Sequence, residues 1–470
     1  MTKTSIGVSV ALLVLWTHAL HGQRPTGIWM TTADRGRLLS PAGRLDFRAE
    51  KASGSVIVVE PQVKFQTIQG FGFALTGGSA TLIHSLESAT RAALLKNLFR
   101  SDGDGIGISY LRVSIGASDL DDHVFSYDDL DAGKTDPTLD HFSLAPDREH
   151  LIPLLHEIVA LRPDIKIMGS PWSPPVWMKS NGLPKGGSLL PAMAPTYAAY
   201  FVKYIQGMAA EGIAIDAVTV QNEPENPSNT PSMAMTAPEQ NEFIRDHLAP
   251  AFRRANINTK IVLFDHNADH PDYPISILND AETKKVVDGS AFHLYLGEVG
   301  ALSTVHAAHP DRQIYFTEQW TSGKGDFAGD LNWHVTNLIV GACRNWSTTV
   351  LEWNLAADEN FSPHTPDGGC DLCQGALTIS KKVKKNVSYY IIGHASKFVP
   401  PGSTRIASSP MDGLPNVAFA TPNGQRVLIV LNSSSGPRSF SICEGPRCAA
   451  ASLPAGAVAT FVWNEPTSAK

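Results

Sequence analysis

The sequence predicts an α/β protein, a (β/α)8 TIM barrel with an attached β-sandwich domain built from both termini. Two observations predict this fold. A strand–loop–helix pattern repeats between Gln69 and about residue 400, and its eight units are the number that closes a barrel. The segments on either side of it have the short alternating patterns of strands, without helical periodicity. The predicted boundaries are 1–23 for a signal peptide, 24–68 and 401–470 for the two parts of the sandwich, and 69–400 for the catalytic barrel.

The composition is that of an ordinary soluble globular protein. Of 470 residues, 43% are hydrophobic and 18% are charged. The net charge of −7 is spread along the chain without a basic stripe, so nucleic acid is excluded as a partner. A chain of this length can hold one large and one smaller domain.

The first residues have the pattern of an export signal. Lys3 precedes an apolar run from Ile6 to Trp16, and a small and polar stretch suited to cleavage follows. The run is too short to span a membrane, so we expect no stable membrane insertion. The alternative is a buried N-terminal helix. The favoured interpretation predicts a secreted or periplasmic protein.

Between the signal and the barrel, strands are predicted at 28–32 and 55–60. No helix follows either of them, so they must pair with strands from elsewhere in the chain. The predicted barrel strands are 70–76, 107–114, 164–170, 214–220, 260–264, 289–295, 313–317 and 348–353. The predicted helices are 85–99, 150–161, 195–211, 236–254, 330–346 and 388–398.

Local signals support these helices. Thr236 and Glu239 form a capping-box pattern, and Gly212 is placed to end the helix before it. An open doubly wound sheet is the competing fold. It requires a glycine-rich phosphate loop after its first strand, and the glycine spacing of residues 70–75 does not fit that loop.

The tail after residue 400 has the pattern of a small β module. Asn423-Gly424 lies between two apolar runs, which is a strong hairpin signal. Cys443 and Cys448 are close enough to link neighbouring strands, which fits an oxidising compartment. For Cys370 and Cys373 we favour a small disulfide over a metal site or a redox pair, and Cys343 is predicted to be a buried thiol.

Two glutamates lie where predicted strands end. Glu223 follows the buried run 214–220, and Glu318 follows 313–317. The carboxyl ends of barrel strands form the floor of an active site, and two carboxylates there can flank one glycosidic bond. Either glutamate alone could be a solvated turn residue or an ion-pair partner. Together they predict a catalytic pair, with Glu223 as acid/base of raised pKa and Glu318 as nucleophile.

Other strand-end residues complete a predicted sugar site. Asn222 can bond a sugar hydroxyl beside the acid/base, whereas Arg112, His293 and Tyr295 can keep Glu318 ionised. The alternative for Arg112 is a buried structural arginine. Flat sugar faces stack on aromatic rings, and each ring could instead pack at the rim. The tryptophans at or just past strand ends are Trp172, Trp177, Trp320 and Trp353.

A series of motifs in order resembles glycoside hydrolase family 30, which includes lysosomal glucosylceramidase and endo-β-1,6-glucanases. The motifs are GFGFALT, LRV, SPWSPPVWMK, QNEP, FHLY, FTEQ and EWNL. The resemblance covers nearly the whole mature chain and implies a retaining enzyme with a β-sandwich built from both termini. It implies Glu223 as acid/base and Glu318 as nucleophile. It also implies substrate contacts from Arg112, Trp172, Asn222, Tyr295 and Trp353.

One position departs from the family pattern. Glucosylceramidases resemble this chain up to Thr76 and then carry an aspartate that grips the terminal glucose hydroxyls, where this chain has Gly77. The departure argues against a strict exo-acting glucosidase and leaves room for a polymer chain. Replacement contacts could come from Asp119, Asp265 or His266.

The predicted function is a secreted retaining hydrolase of β-glucosides of the glucosylceramidase type, needing neither cofactor nor metal. The alternative is an endo-β-1,6-glucanase, so the predicted partner is a β-linked glucoside or glucan. A non-catalytic carbohydrate-binding protein is a further alternative, which the presence of both glutamates disfavours. A metal-dependent hydrolase using His266 and His270 is disfavoured because no HExxH motif occurs. The sequence leaves the oligomeric state open.

Overall fold

The computed structural model describes residues 26–49 and 54–465. The predicted signal peptide, residues 1–23, lies outside the described residues. Three strands precede the barrel: β1 (Gly27–Thr31), β2 (Ser40–Gly43) and β3 (Val56–Thr67).

Eight parallel strands close into a barrel, which confirms the predicted fold class. They are β4 (Gly70–Ala74), β5 (Tyr110–Ser114), β6 (Lys166–Ser170), β7 (Ala217–Thr219), β8 (Lys260–Ala268), β9 (Gly289–Gly297), β10 (Gln313–Glu318) and, after the short β11 (Thr321–Ser322), β12 (Ser347–Glu352). Closure comes from the pairing of β12 with β4, in the register Thr349 to Gly70. β4 and β5 are buried along their whole length, as strands covered on both faces must be.

The interior of the barrel is filled with side chains. One buried cluster takes a residue from each of seven barrel strands, which are Tyr110, Met168, Ala217, Val262, Ala291, Tyr315 and Leu351. The barrel is therefore a packed core whose open end carries the loops that follow the strands.

Helices surround the barrel. They are α1 (Gly77–His84), α2 (Ser88–Phe99), α3 (Leu151–Leu161), α4 (Ala194–Ala210), α5 (Ala237–Glu242), α6 (Ala249–Arg254), α7 (Asp272–Leu278), α8 (Ala281–Lys284), α9 (Ala301–Ala308), α10 (Phe327–His334) and α11 (Val387–Ser396). The Thr236 capping box is present at α5. The single helix predicted over 236–254 contains a π-helical turn at Phe243–Leu248, and a second π-helical segment, Val335–Ala342, follows α10.

Helix α1 was missed by the sequence prediction because its first turn contains two glycines, which are poor helix formers. The structure compensates locally. Thr76 caps the helix, since its hydroxyl accepts a hydrogen bond from the Ser79 backbone N–H at 3.1 Å.

Short strands lie in the loops after the barrel strands: β13 (Ala356–Ala357), β14 (Cys373–Gln374), β15 (Leu377–Ile379) and β16 (Val383–Lys385). The tail then adds β17 (Thr404–Ser408), β18 (Asn416–Ala420), β19 (Gln425–Leu431), β20 (Arg438–Glu444), β21 (Arg447–Leu453) and β22 (Val458–Asn464). These six join β1, β2 and β3 in one nine-stranded sheet with the order β2-β1-β22-β19-β18-β17-β3-β20-β21.

This sheet folds over itself to form the sandwich. Phe440 of β20 and Phe461 of β22 are far apart in strand order, yet their rings lie 6.0 Å apart in a shared buried cluster. The predicted hairpin at Asn423-Gly424 joins β18 to β19. The sandwich packs on the barrel through Trp29 and Phe398, whose ring centroids are 4.7 Å apart.

The cysteine predictions are confirmed. Disulfides join Cys370 to Cys373 and Cys443 to Cys448, and Cys343 is a buried free thiol. Within residues 26–49 and 54–465, no helix has the length and apolar character needed to cross a membrane.

Candidate active site

A cavity of about 510 Å³ opens where the barrel strands end. Six residues predicted from the sequence line it, and they are Trp172, Glu223, Tyr295, Glu318, Trp320 and Trp353. Four other predicted residues, Arg112, Asn222, His293 and Trp177, do not line it. The cavity is therefore built from the ends of several strands, as in other barrel sites.

The two glutamates meet on the floor of this cavity. A carboxylate oxygen of Glu223, one of Glu318 and a ring nitrogen of His293 all lie within 4.8 Å of one another. Glu318 is the last residue of β10, and Glu223 follows β7. Carboxylates about 5 Å apart suit direct attack on a sugar, whereas an inverting pair needs about 6.5–9.5 Å to admit a water.

The backbone at Glu223 is held in an unusual conformation. Its φ is 45° and that of Asp265 is 65°, a left-handed region that costs non-glycine residues about 1–3 kcal/mol. The two residues are bonded to each other, because the Glu223 N–H donates to the Asp265 carbonyl at 2.9 Å. Such conformations cluster at functional sites, where the surrounding structure fixes them.

Glu318 is surrounded by groups that stabilise its charge. Arg112 Nη1 lies 2.6 Å from its Oε2, and the Tyr295 hydroxyl donates to its Oε1 at 2.8 Å. Burial raises the pKa of Glu318 above its ordinary value, while the charges of His293 and Arg112 act to lower it. The arginine and the phenol thus oppose the cost of keeping a buried carboxylate ionised.

Glu223 has a different set of partners. Asn226 Nδ2 donates to its Oε2 at 2.6 Å, and His293 Nδ1 lies 3.2 Å from its Oε1. Burial alone would raise the pKa of Glu223, but the hydrogen bond and charge of His293, with the bond from Asn226, lower it below its ordinary value.

The sequence prediction gave Glu223 a raised pKa, whereas in the structure the pKa of Glu223 is lowered, and His293 is the main cause. Burial alone would lower the pKa of His293, but the charge of Glu318 and bonds to Asp265 and Glu223 raise it to about 9. In the free protein the proton therefore resides on His293, between the two glutamates. The 3.2 Å contact gives that proton a direct path to Glu223.

Arg112 connects the groups beneath the cavity floor. It is buried, and its Nη2 donates to Asn222 Oδ1 and to Asp265 Oδ2, both at 2.7 Å. Asp265 is also fully buried, and burial alone would raise its pKa, but Arg112 and His293 hold that pKa well below its usual range. Asp265 therefore carries a buried charge that Arg112 and His293 compensate.

Three residues predicted to bind substrate do not line the cavity, and direct substrate contact by them stays a prediction. Arg112, Asn222 and His293 are buried. Arg112 bonds to Glu318 and to Asn222, and His293 bonds to Glu223. We assign them as positioning residues.

Arg112→Met is expected to lower the free energy of unfolding by about 3–5 kcal/mol, because it removes the arginine that is ion-paired with the two buried carboxylates of Asp265 and Glu318. Urea denaturation at pH 7 measures the change. The control is Arg148→Met, whose pair with Glu211 is on the surface with the arginine side chain 59% exposed, and its expected loss is below about 1 kcal/mol. Equal losses in the two variants would contradict the role of Arg112.

Aromatic rings form one wall of the cavity. Trp172 and Trp353 stack with ring centroids 5.4 Å apart, and the Arg112 guanidinium lies 4.8 Å from the Trp172 ring. Trp320 and the disulfide between Cys370 and Cys373 complete this wall. Trp177 does not line the cavity, and its indole N–H donates to the Asp128 carbonyl.

The space beside Gly77 is filled. A Cβ atom at this position would lie 1.6 Å from Oδ1 of Asp121, whose carboxylate accepts bonds from the Ser118 N–H and hydroxyl at 2.7 and 2.9 Å. The expectation that Gly77 leaves room for a polymer chain is therefore wrong at this point. A buried aspartate from the loop after β5 occupies the position instead.

Two of the three residues suggested as replacement contacts lie at the cavity, and the third does not. Asp119 and His266 line the cavity, whereas Asp265 lies beneath it. Burial and the charges of Glu318 and Glu223 raise the pKa of Asp119 to about 8. At neutral pH its protonated carboxyl can donate a hydrogen bond to a sugar hydroxyl.

Several cavity residues were not predicted from the sequence. They are Glu225, Asn226, Asn229, Asn267 and Leu296. The available signal was their position in the last residues of β8 and β9 or in the loop after β7, since the carboxyl ends of barrel strands and the loops that follow them carry function. The loop conformation decides which of them face the cavity.

The arrangement does not favour a cation at the glutamates. His293, charged at neutral pH, would have to lose its proton before it could bind a metal, and Arg112 already neutralises Glu318. His266 and His270 both face Glu225, at 3.9 and 2.8 Å. Among the described residues, they belong to neither group that brings three possible ligands together.

Comparison with known families gives two matches along the chain. The glycosyl hydrolase family 30 TIM-barrel domain matches residues 68–399, and the glycosyl hydrolase family 30 beta sandwich domain matches residues 402–461. Together they cover both parts of the fold described above.

Individual relatives agree with this match. The chain is 36% identical over 391 residues to an endo-1,6-beta-D-glucanase of Neurospora crassa, covering 79% of this chain and 80% of the relative. It is 29% identical to the lysosomal acid glucosylceramidase of Mus musculus, over 83% and 80% of the two chains. A solved endo-beta1,6-glucanase structure superposes with a TM-score of 0.87 at 33% identity, covering 94% of this chain and 99% of that one.

Proposed function

The chain belongs to glycoside hydrolase family 30, and we propose that this glycoside hydrolase is a retaining endo-β-1,6-glucanase. The observation that carries the mechanism is the pair of carboxylate oxygens within 4.8 Å on the cavity floor. The substrate is supported by the similarity to two endo-β-1,6-glucanases at 36% and 33% identity. The sequence alone placed the glucosylceramidase type first, and this similarity favours its alternative.

The first step transfers the sugar to the enzyme. An oxygen of Glu318 attacks the anomeric carbon, the bond from that carbon to the leaving oxygen breaks, and Glu223 protonates the leaving oxygen. The proton reaches Glu223 Oε1 from His293 Nδ1 across their 3.2 Å contact. Tyr295 and Arg112 hold Glu318 in place for the attack.

The second step releases the sugar. Glu223, now a carboxylate, takes a proton from a water whose oxygen attacks the same carbon, and the bond to Glu318 breaks. Glu223 then returns this proton to His293 Nδ1, which restores the starting state. Two inversions give a product with the configuration of the substrate. Trp172, Trp320 and Trp353 provide flat faces for the sugar ring, and Asp119 a hydrogen-bond donor.

Glucosylceramide is the second candidate substrate, because the mouse lysosomal glucosylceramidase is 29% identical to this chain. The position of Gly77 argues against it. This chain has Gly77 in place of the family aspartate that grips terminal glucose in glucosylceramidases, and the buried Asp121 fills the adjacent space, since a Cβ atom at Gly77 would lie 1.6 Å from its Oδ1.

Product analysis separates the two substrates. We expect β-1,6-glucan to yield linked oligosaccharides of several lengths early in the reaction, because endo action cuts within the chain. We expect kcat/KM for glucosylceramide to be lower than that for β-1,6-glucan by about 10²-fold or more, since a site built for sugar hydroxyls discriminates against a lipid. Glucose as the sole early product, or faster hydrolysis of glucosylceramide, would contradict the proposal. β-1,3-Glucan and xylan serve as linkage controls.

We further propose that the protein is secreted or periplasmic. The export pattern of residues 1–23 supports this, as do the disulfides at Cys370–Cys373 and Cys443–Cys448, which persist in oxidising compartments.

A further inference from the structure

A second cavity lies beside the active-site cavity. Its volume is about 570 Å³, and its walls come from the loop after β7 and from the first turns of α5 and α7. Glu225 lines both cavities, so they are adjacent. The mechanism above uses no group of this second cavity.

A histidine–glutamate pair marks the boundary between the two cavities. His270 Nδ1 lies 2.8 Å from Glu225 Oε2, and His266, on the active-site side, lies 3.9 Å from the same oxygen. The His270 side chain is 54% exposed, so the pair sits at the rim and not within the protein. The bond and charge of Glu225 raise the pKa of His270 above its ordinary value.

The position of the acid/base indicates which part of the substrate the second cavity can receive. The group that Glu223 protonates is the leaving oxygen, so the departing part of the substrate must lie on the side of Glu223. Glu225 and Asn226 follow in the same loop, and Asn226 is bonded to Glu223. A chain that leaves the active site past Glu223 therefore meets Glu225 and His270 next.

The lining of the second cavity suits a sugar. Pro224, Pro227 and Tyr273 offer apolar surfaces, and His270, Asp272 and Ser276 offer hydrogen-bonding groups. A glucosyl unit has apolar ring faces and an edge of hydroxyls, so it needs this combination.

We propose that the second cavity, entered past the Glu225–His270 pair, binds glucosyl units on the reducing-end side of the scissile bond of β-1,6-glucan. The inference rests on the proposed function and specifies how the enzyme takes a polymer. Binding energy from sugar units remote from the reacting carbon then contributes to kcat/KM, as in enzymes that act on chains.

The test compares long and short substrates. The substrates are a β-1,6-linked glucohexaose and an aryl β-glucoside, whose small leaving group cannot reach the second cavity. The variants are His270→Ala, which removes a hydrogen-bonding group, and Ser276→Trp, which fills the cavity. The matched control is His156→Ala, an exposed histidine on α3 whose Nε2 bonds a backbone carbonyl.

The measured quantity is the ratio of kcat/KM on the hexaose to kcat/KM on the aryl glucoside. We expect this ratio to fall about tenfold in His270→Ala and Ser276→Trp, the loss of roughly one sugar contact, and to stay at the wild-type value in His156→Ala. A reducing-end label on the hexaose should show cleavage moving towards the labelled end, because fewer units are then held on the leaving side.

Two results would overturn the inference, and they are distinguishable. If the wild-type enzyme cleaves the hexaose but both variants keep its ratio, the second cavity does not bind the chain, and the proposed function survives. If the wild-type enzyme cleaves the aryl glucoside and not the hexaose, the proposed β-1,6-glucanase function fails together with the inference.

Discussion

Glu318→Gln is expected to reduce kcat/KM on β-1,6-glucan by about 10⁴-fold or more, because an amide cannot form the covalent intermediate. The change keeps the side-chain volume, and the amide can still accept the bond from the Tyr295 hydroxyl. The loss should be as large on an aryl β-glucoside, since a better leaving group does not replace a missing nucleophile. Initial rates on both substrates, with folding checked by thermal melting, measure it.

The matched control for this variant is Glu352→Gln. Glu352 is also a buried glutamate at the end of a barrel strand, but it bonds His334 at 2.9 Å and does not line the cavity. We expect it to keep activity within about threefold of wild type, as for a structural residue away from the reacting atoms. Near-normal hydrolysis by Glu318→Gln would show that Glu318 is not the nucleophile and that a different group attacks the sugar.

Glu223→Ala is expected to reduce kcat on β-1,6-glucan by about 10²–10⁴-fold, the usual contribution of a general acid. A sugar alkoxide leaves poorly without a proton, whereas a dinitrophenolate leaves without help. The first step should therefore remain fast on a dinitrophenyl β-glucoside, and the covalent intermediate should accumulate. Stopped-flow release of the phenolate measures a burst followed by a slow steady state.

Azide provides the rescue that separates an acid/base from a structural role. With the Glu223 side chain removed, the small anion can reach the intermediate and attack without general-base help. We expect the steady-state rate to rise with azide and the product to be a β-glucosyl azide by NMR. A loss of rate that is equal on all leaving groups and insensitive to azide would count against Glu223 as the acid/base.

The barrel was predictable because its strands are continuous apolar runs with polar residues at their ends. Strand β7, which precedes Glu223, is buried on both faces. Eight strands of this kind close the barrel. The two glutamates were predictable for the same reason, since strand ends of a barrel converge on one face. Helix α1 was not, because Gly77 and Gly78 depend on a cap from Thr76.

The depth of each side chain could not be read from the sequence. His293 lies on β9, which also presents the cavity residues Tyr295 and Leu296, and the tilt of the strand decides which side chains reach the surface. The same holds for Asp121, which reaches the space beside Gly77 from a long loop. The lowered pKa of Glu223 follows from its contact with His293, and no sequence motif encodes the position of His293 between the two glutamates.

The central claim is that Glu318 carries the sugar between the two steps. A 2-deoxy-2-fluoro β-glucoside with a dinitrophenolate leaving group forms that intermediate and slows its hydrolysis, so peptide mass spectrometry of the inactivated enzyme can locate the attached sugar. We predict one fluoroglucosyl group per chain, on the peptide that contains Glu318. Inactivation without an adduct, or an adduct on any other side chain, would contradict the mechanism.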